Sequence, residues 1–247
     1  MTNIHDTSGS LPRRTSKREE RAQRILDAAC KLMLRYGYTK TTVDDIAREA
    51  QVAKGTIYLH WKTREELFMT LAIREGLEAT LEMLQLIGDD QCGAQLSRMV
   101  RHGLTVVLRR PLARALYLND AAMLGELLRL LPEHSNGLLQ AKNTVWQQMI
   151  MTLREKNLLR TDTSPEQQLH ICSSIIIGFI TCNSYLPTEM HRPLEETLDS
   201  LELTIQRTLE PEQPPNPLML AEVRQTIQQL HTSYLQTAQA WFRQEIQ

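Results

Sequence analysis

Residues 53–61 read AKGTIYLHW, and Lys62 follows directly, so a glycine, a threonine, a tyrosine, a histidine and two lysines crowd around two apolar anchors. No nucleophile in this stretch is paired with a base, and no carboxylate pair or metal-ligand spacing accompanies it. The chemistry such a set offers is polyanion recognition. Glycine lets a backbone approach closely, threonine and leucine can meet base edges and thymine methyls, and lysine, tyrosine and histidine can hold phosphates.

Those residues have to be presented on a protruding helix, and the flanking sequence supplies one. Thr42 with Asp45 forms a capping pair that predicts a short helix over 43–50, Ile46 and Ala47 facing inward. AQVA (50–53) turns the chain, and a second short helix follows over 53–60. Two short helices across a tight turn, with a small residue at their crossing, make a helix-turn-helix. On a wheel of 100° per residue Ile57 and Trp61 share one side, whereas Gly55, Thr56 and Leu59 lie opposite. Burying the first pair bares the second set, with Tyr58 and His60 flanking it and Lys54 and Lys62 at its ends.

The rest of the chain is read as helix throughout. Apolar residues recur at spacings of three and four, and β-branched alternation is almost absent, so the fold class is all-α. A first helix is predicted over 16–36, with Ile25, Ala29, Leu32 and Tyr36 on one stripe and Gly37 as a left-handed stop. Thr63 and Glu66 form a T-x-x-E box ahead of a long helix reaching about residue 87, with Leu67, Leu71, Leu77, Leu81 and Leu84 along it. Further helices are expected at 91–109, 112–119, 121–131, 135–157, 165–186, 193–210 and 217–245. Their separators are turn residues and prolines, including PEQPPNP at 211–217.

Charge divides the chain unevenly. Residues 1–62 carry 12 Lys/Arg against 7 Asp/Glu, and residues 63–247 carry 16 against 22, although the formal net charge is only −1. A basic head on a mildly acidic body fits a polyanion-binding module joined to something else. Residues 1–15 are expected to be a disordered basic tail, since they offer little to bury. Cys30, Cys92, Cys172 and Cys182 show no ligand or disulfide spacing and are expected to be buried thiols. No apolar run approaches the ~20 residues of a membrane span, and the N-terminus has no signal-like apolar core, so a cytoplasmic location and no membrane partner are expected. Neither G-x-S-x-G nor a phosphate-cradling glycine loop is present, and the histidines lack carboxylate clusters. The chain is therefore read as no enzyme, with no cofactor and no metal.

TTVDDIAREAQVAKGTIYLHWKTREELF (41–68) resembles the DNA-binding signature of the tetracycline-repressor (TetR) family, and the likeness runs over about 50 residues from the first helix to the fourth. It departs in placing Gln51 at the usual turn glycine, Ala53 at the usual Ser/Thr cap, Trp61 for phenylalanine and Arg64 for lysine. The resemblance implies a one-component regulator, commonly a repressor, with a three-helix DNA-binding domain and a variable body that dimerises and binds a small-molecule effector. By position it implies helix-start contacts from Thr42 and Lys54, a base or phosphate contact from Thr56, and phosphate-region contacts from Tyr58, His60 and Arg64. The domains expected are 16–62 for DNA binding, 63–210 for effector binding and dimerisation, and 211–247 for a spacer and an extra helix.

The resemblance also implies a homodimer through a four-helix bundle of the 165–186 and 193–210 pair. SSIIIGFITCNSYL (173–186) is apolar nearly all round, which agrees; Ile175, Gly178, Phe179, Leu198, Leu201 and Ile205 are the expected interface. Such a dimer would read a palindromic double-stranded operator with half-sites ~34 Å apart. An effector pocket is expected among the helices at 91–157, with His102, Tyr117, Met123, Trp146 and Met149 as candidates. A DNA-binding architectural protein without effector control is the alternative that the sequence leaves open.

Overall fold

A computed structural model describes residues 16–134 and 137–246; the expected basic tail over 1–15 lies outside the described residues. The described chain is all helix: α1 (Lys17–Tyr36), α2 (Val43–Glu49), α3 (Lys54–Tyr58), α4 (Arg64–Asp89), α5 (Leu96–Arg109), α6 (Pro111–Leu118), α7 (Ala121–Leu124), α8 (Leu127–His134), α9 (Leu138–Glu155), α10 (Pro165–Thr181), α11 (Leu194–Leu209) and α12 (Pro217–Ile246). No described helix is long and apolar enough to cross a membrane.

Local chemistry explains most of the starts. Ser16 with Glu19, Thr63 with Glu66 and Ser164 with Gln167 each close a reciprocal capping box, satisfying amides that a helix start leaves unpaired. Thr42 caps α2 by accepting from the Asp45 amide at 3.2 Å. Glu210, from the end of α11, accepts from the Ser97 amide at 2.7 Å, which places a carboxylate at the N-terminus of α5.

Two main apolar clusters organise the molecule. One gathers α1–α3 and the start of α4 around Ile25, Ile46, Ile57, Trp61 and Phe68, and takes in Leu112, Leu124 and Ile246 from the body. The other packs α5, α9, α10, α11 and the start of α12 around Leu96, Ile150, Leu198, Ile205 and Val223. α12 has 30 residues, about 45 Å at 1.5 Å per residue. Its first half therefore belongs to one cluster and its last turn to the other. Cationic side chains tie the layers as well: Arg74 of α4 pairs with Asp27 of α1 at 2.7 Å, and Arg101 of α5 with Asp199 of α11 at 2.5 Å.

The structure corrects several sequence expectations. Gly37 does take a positive φ of 77°, but with ψ 165° it is extended rather than left-handed helical. Tyr36 and Leu81, expected on buried stripes, are exposed. α3 covers only Lys54–Tyr58, and α10 stops at Thr181 before single 3-10 turns at Cys182–Ser184 and Thr188–Met190. The helix expected over 121–131 is broken at Gly125, whose φ of 51° and ψ of −128° suit glycine. A Cβ there would sit 2.8 Å from the Thr39 hydroxyl. α5 begins at Leu96 rather than 91, so Cys92 falls in the preceding turn and is exposed; Cys172 is buried, and Cys30 and Cys182 are half-buried.

Candidate nucleic-acid interface and ligand cavity

The α2–turn–α3 unit is held from beneath by Ile57 and Trp61, each 1% exposed. Trp61 is oriented by its indole N–H, which donates to the Thr70 hydroxyl at 2.9 Å. With those two anchored, Gly55 is exposed with open space where a Cβ would stand, Tyr58 is 46% exposed and Leu59 69% exposed; Thr56 is half-buried beside them. Leu59 is thus a large aliphatic side chain left exposed beside a glycine.

The turn departs from ideal chemistry where the sequence does. Gln51 has φ 55°, a left-handed position that disfavours a side chain by about 1 kcal/mol. Ala53 has N-cap geometry, φ −70° and ψ 145°, but offers no side-chain acceptor. The first amides of α3 therefore lack a side-chain cap.

The expected contact residues divide into free and committed groups. Thr42 is exposed, but its hydroxyl donates to the Asp45 carboxylate at 2.5 Å. Lys54 pairs with Asp44 at 2.8 Å, and the hydrogen bond to that carboxylate raises its pKa. The pair is open to water and can exchange partners readily. Lys62 is exposed, while its amide donates to Glu66 at 2.7 Å.

Arg64 and His60 serve the fold. Arg64 donates from Nε to the Thr41 carbonyl at 3.0 Å and from a terminal nitrogen to the Tyr38 carbonyl, and its guanidinium lies 3.9 Å from the Tyr38 ring centre. It braces α4 against the loop before α2 instead of reaching outward. His60 is half-buried, with Nδ1 at 3.3 Å from the Ile246 carbonyl; burial lowers its pKa, with Arg18 and Arg21 adding to the effect. Those two α1 arginines escaped the sequence reading. Arg18 is exposed and donates to the Leu59 carbonyl at 2.9 Å, which sets a cation against the recognition helix. The dense cationic start of α1 (KREERAQR) was the available signal.

A cavity of about 390 Å³ opens in the body. Tyr117 and Trp146 line it as expected; His102, Met123 and Met149 do not. His102 is engaged with Asp90 at 2.8 Å. Met123 accepts from the Tyr38 amide through its carbonyl and packs on the head, and Met149 is sealed in the second core. The walls come from α4, α5, α6, α8, α9, α10 and α12, which spreads them well beyond 91–157. Lys142, His231 and Tyr234 are polar wall residues that the sequence reading missed, the last two on α12, the helix expected only as an extra one after the spacer. Among the described residues no cluster of three His, Cys, Asp or Glu could hold a metal.

The expected interface residues also divide. Leu198, Leu201 and Ile205 are buried inside the protomer against α5, so they are core and face no partner, because the apolar stripe of α11 is consumed internally. Ile175 and Phe179 are half-buried, and Gly178 is exposed with open space around it. Ile177, Tyr185, Met190 and Leu203 are exposed apolar groups on or beside the same helices.

Residues 25–71 match the family model described as bacterial regulatory proteins, tetR family. Over 49 residues the chain is 49% identical to an uncharacterized HTH-type transcriptional regulator, YhgD, of Bacillus subtilis (strain 168), a match that covers 20% of this chain and 26% of that protein. In the first three curated relatives matched, the chain spans 25–31% of their length. Among solved structures the fold is similar to NalD, the secondary repressor of the MexAB-OprM multidrug efflux pump in Pseudomonas aeruginosa. That likeness has a TM-score of 0.59 at 20% identity and covers 81% of this chain and 100% of that one. It is also similar to SmeT in its triclosan complex, with TM-score 0.56, 19% identity, and 80% and 96% covered.

Proposed function

We propose, from the premise that the chain belongs through residues 25–71 to the tetR family of bacterial regulatory proteins, that it is a transcriptional repressor. In this reading it binds a palindromic operator as a homodimer and leaves it when a small molecule fills the body. The observation that carries the reading is the exposed Gly55, Tyr58 and Leu59, with half-buried Thr56 beside them, held outward by the burial of Ile57 and Trp61. Gly55 and Thr56 bring backbone and hydroxyl to base edges, Leu59 meets a thymine methyl, and Lys54, Lys62 and Arg18 hold phosphates. Thr42 contributes through its exposed position at the start of α2, while His60 and Arg64 act by positioning the helix.

The dimer forms on the outward side of α10 and α11, around Gly178, Ile177 and Leu203 and the Tyr185–Met190 connection. Ile175 and Phe179 complete that face at its edge. The open space at Gly178 supports close helix approach, and a two-fold pair sets the recognition helices roughly one turn of DNA, ~34 Å, apart. The effector enters the 390 Å³ cavity, whose size fits the usual range for small-molecule sites. A triclosan complex is known for the structurally similar SmeT, which accords with a cavity dominated by apolar side chains. Residues 16–62 form the DNA-binding unit, 63–210 the effector and dimer body, and 211–247 an extension, of which Ile246 reaches the head cluster.

Selection of bound duplexes from a random pool tests this directly. The expected product is an inverted repeat, and the combined replacement of Thr56, Tyr58 and Leu59 by alanine is expected to abolish its enrichment. Sequence-indifferent recovery would overturn the operator reading in favour of an architectural role.

A further inference from the structure

The cavity is apolar over most of its wall, yet among the described lining residues Lys142 supplies a cation. Lys142, in the first turns of α9, lines it and makes no ion pair and no hydrogen bond among the described residues. The residue is exposed, yet burial lowers its pKa. That combination fits a side chain reaching into an open-mouthed cavity. No aspartate or glutamate is among the lining residues, so the ammonium has no counter-charge from the described protein.

The neighbouring polar groups do not supply one either. His231, whose ring Lys142 influences electrostatically, is held by a 2.8 Å contact from Nδ1 to the Ile227 carbonyl. Burial lowers its pKa against the opposing hydrogen bond to Ile227, and the Lys142 charge lowers it further, which favours the neutral imidazole at pH 7.5. Tyr117 and Tyr234 keep their protons, since burial raises both of their pKa values. A desolvated ammonium that faces only neutral groups among the described residues is expensive, and burial accordingly pulls the Lys142 pKa down. An anion delivered by a ligand removes that penalty.

We propose, resting on the effector reading above, that the cavity takes an apolar monocarboxylate whose carboxylate pairs with Lys142 and whose hydrocarbon body lies along Met83, Leu104, Val145 and Trp146. Among the described lining residues one lysine and no arginine meet the ligand, which suits one negative charge rather than a phosphate dianion. Neutral His231 and the tyrosine hydroxyls complete the polar end.

The test is calorimetric titration of the full chain at pH 7.5 with decanoate and with 1-decanol, a neutral probe of the same length. The wild type should bind decanoate at least tenfold more tightly. Lys142→Met should bring the ratio to about one while holding 1-decanol, and Lys142→Arg should keep the preference. Equal or better binding of 1-decanol by the wild type, an undiminished preference in Lys142→Met, or no binding of either probe overturns the proposal. Operator release is scored separately. Lys142-dependent binding that leaves the DNA complex intact removes the effector reading and keeps the ligand class, whereas release by 1-decanol as readily as by decanoate does the reverse.

Discussion

The Nδ1 of His60 lies 3.3 Å from the carbonyl oxygen of Ile246, joining the end of the recognition segment to the last turn of α12 across 186 residues of sequence. In the tautomer protonated at Nδ1, the ring donates to that carbonyl. Ile246 itself is buried in the head cluster, so the two contacts act together. Ile246→Ala is expected to lower unfolding free energy by about 2 kcal/mol, the low end for such truncations because a terminal turn can relax. Urea denaturation followed by circular dichroism measures it; an unchanged midpoint would show that the last turn does not support the head.

Burial depresses the pKa of His60 and of His231, and both sites are built for the neutral ring. The unfolded chain then binds more protons below the ordinary histidine value of about 6.5. Stability contributed by these sites is full above that pH and is lost as pH falls through it towards the folded-state values. Thermal melts between pH 8 and 5 should show a decline that is shallower in a His60→Gln, His231→Gln double variant. An identical slope in both proteins assigns the decline to other groups.

Arg64 gives two hydrogen bonds to backbone carbonyls and a stacked contact to Tyr38, geometry that a planar fork can meet and an ammonium cannot. Arg64→Lys should therefore destabilise the head by about 1–2 kcal/mol. The same denaturation experiment checks this, and a neutral substitution would return Arg64 to the list of outward-reaching phosphate contacts.

Ala53 already has the backbone angles of a helix cap and lacks only the acceptor. Ala53→Ser should stabilise α3 by about 1 kcal/mol. Slower amide exchange at Gly55 and Thr56 is the local readout. Unaltered exchange would mean that the new hydroxyl does not reach those amides.

Gly178 is exposed, and a side chain added there meets nothing within 4 Å in its own protomer. Gly178→Arg should keep the helical circular dichroism of the wild type yet sediment as a monomer. A dimer that persists in the variant moves the interface off α10.

Much of the molecule was readable from local chemistry. The boxes at Thr63 and Glu66 and the Thr42 cap involve residues three apart, so spacing alone exposes them, and Ile57 with Trp61 declares the buried side of α3 by the same arithmetic. The missing cap at Ala53 and the left-handed Gln51 were equally visible, because each concerns one residue and its own backbone. The stripe Leu198, Leu201 and Ile205 shows the limit: periodicity says that a face is apolar and not which neighbour covers it, and α5 took the place assigned to a second subunit.

What tertiary structure alone decided are the long-range meetings. Lys142 and His231 come together in one wall, and Ile246 reaches His60, because α12 runs back along the body, and its apolar stripe does not say which neighbours will cover it. Helix formation depends on neighbours within a few positions and is written in the order of residues. Cavities and inter-helix contacts depend on which surfaces win the competition for burial, and the folded chain settles that as a whole.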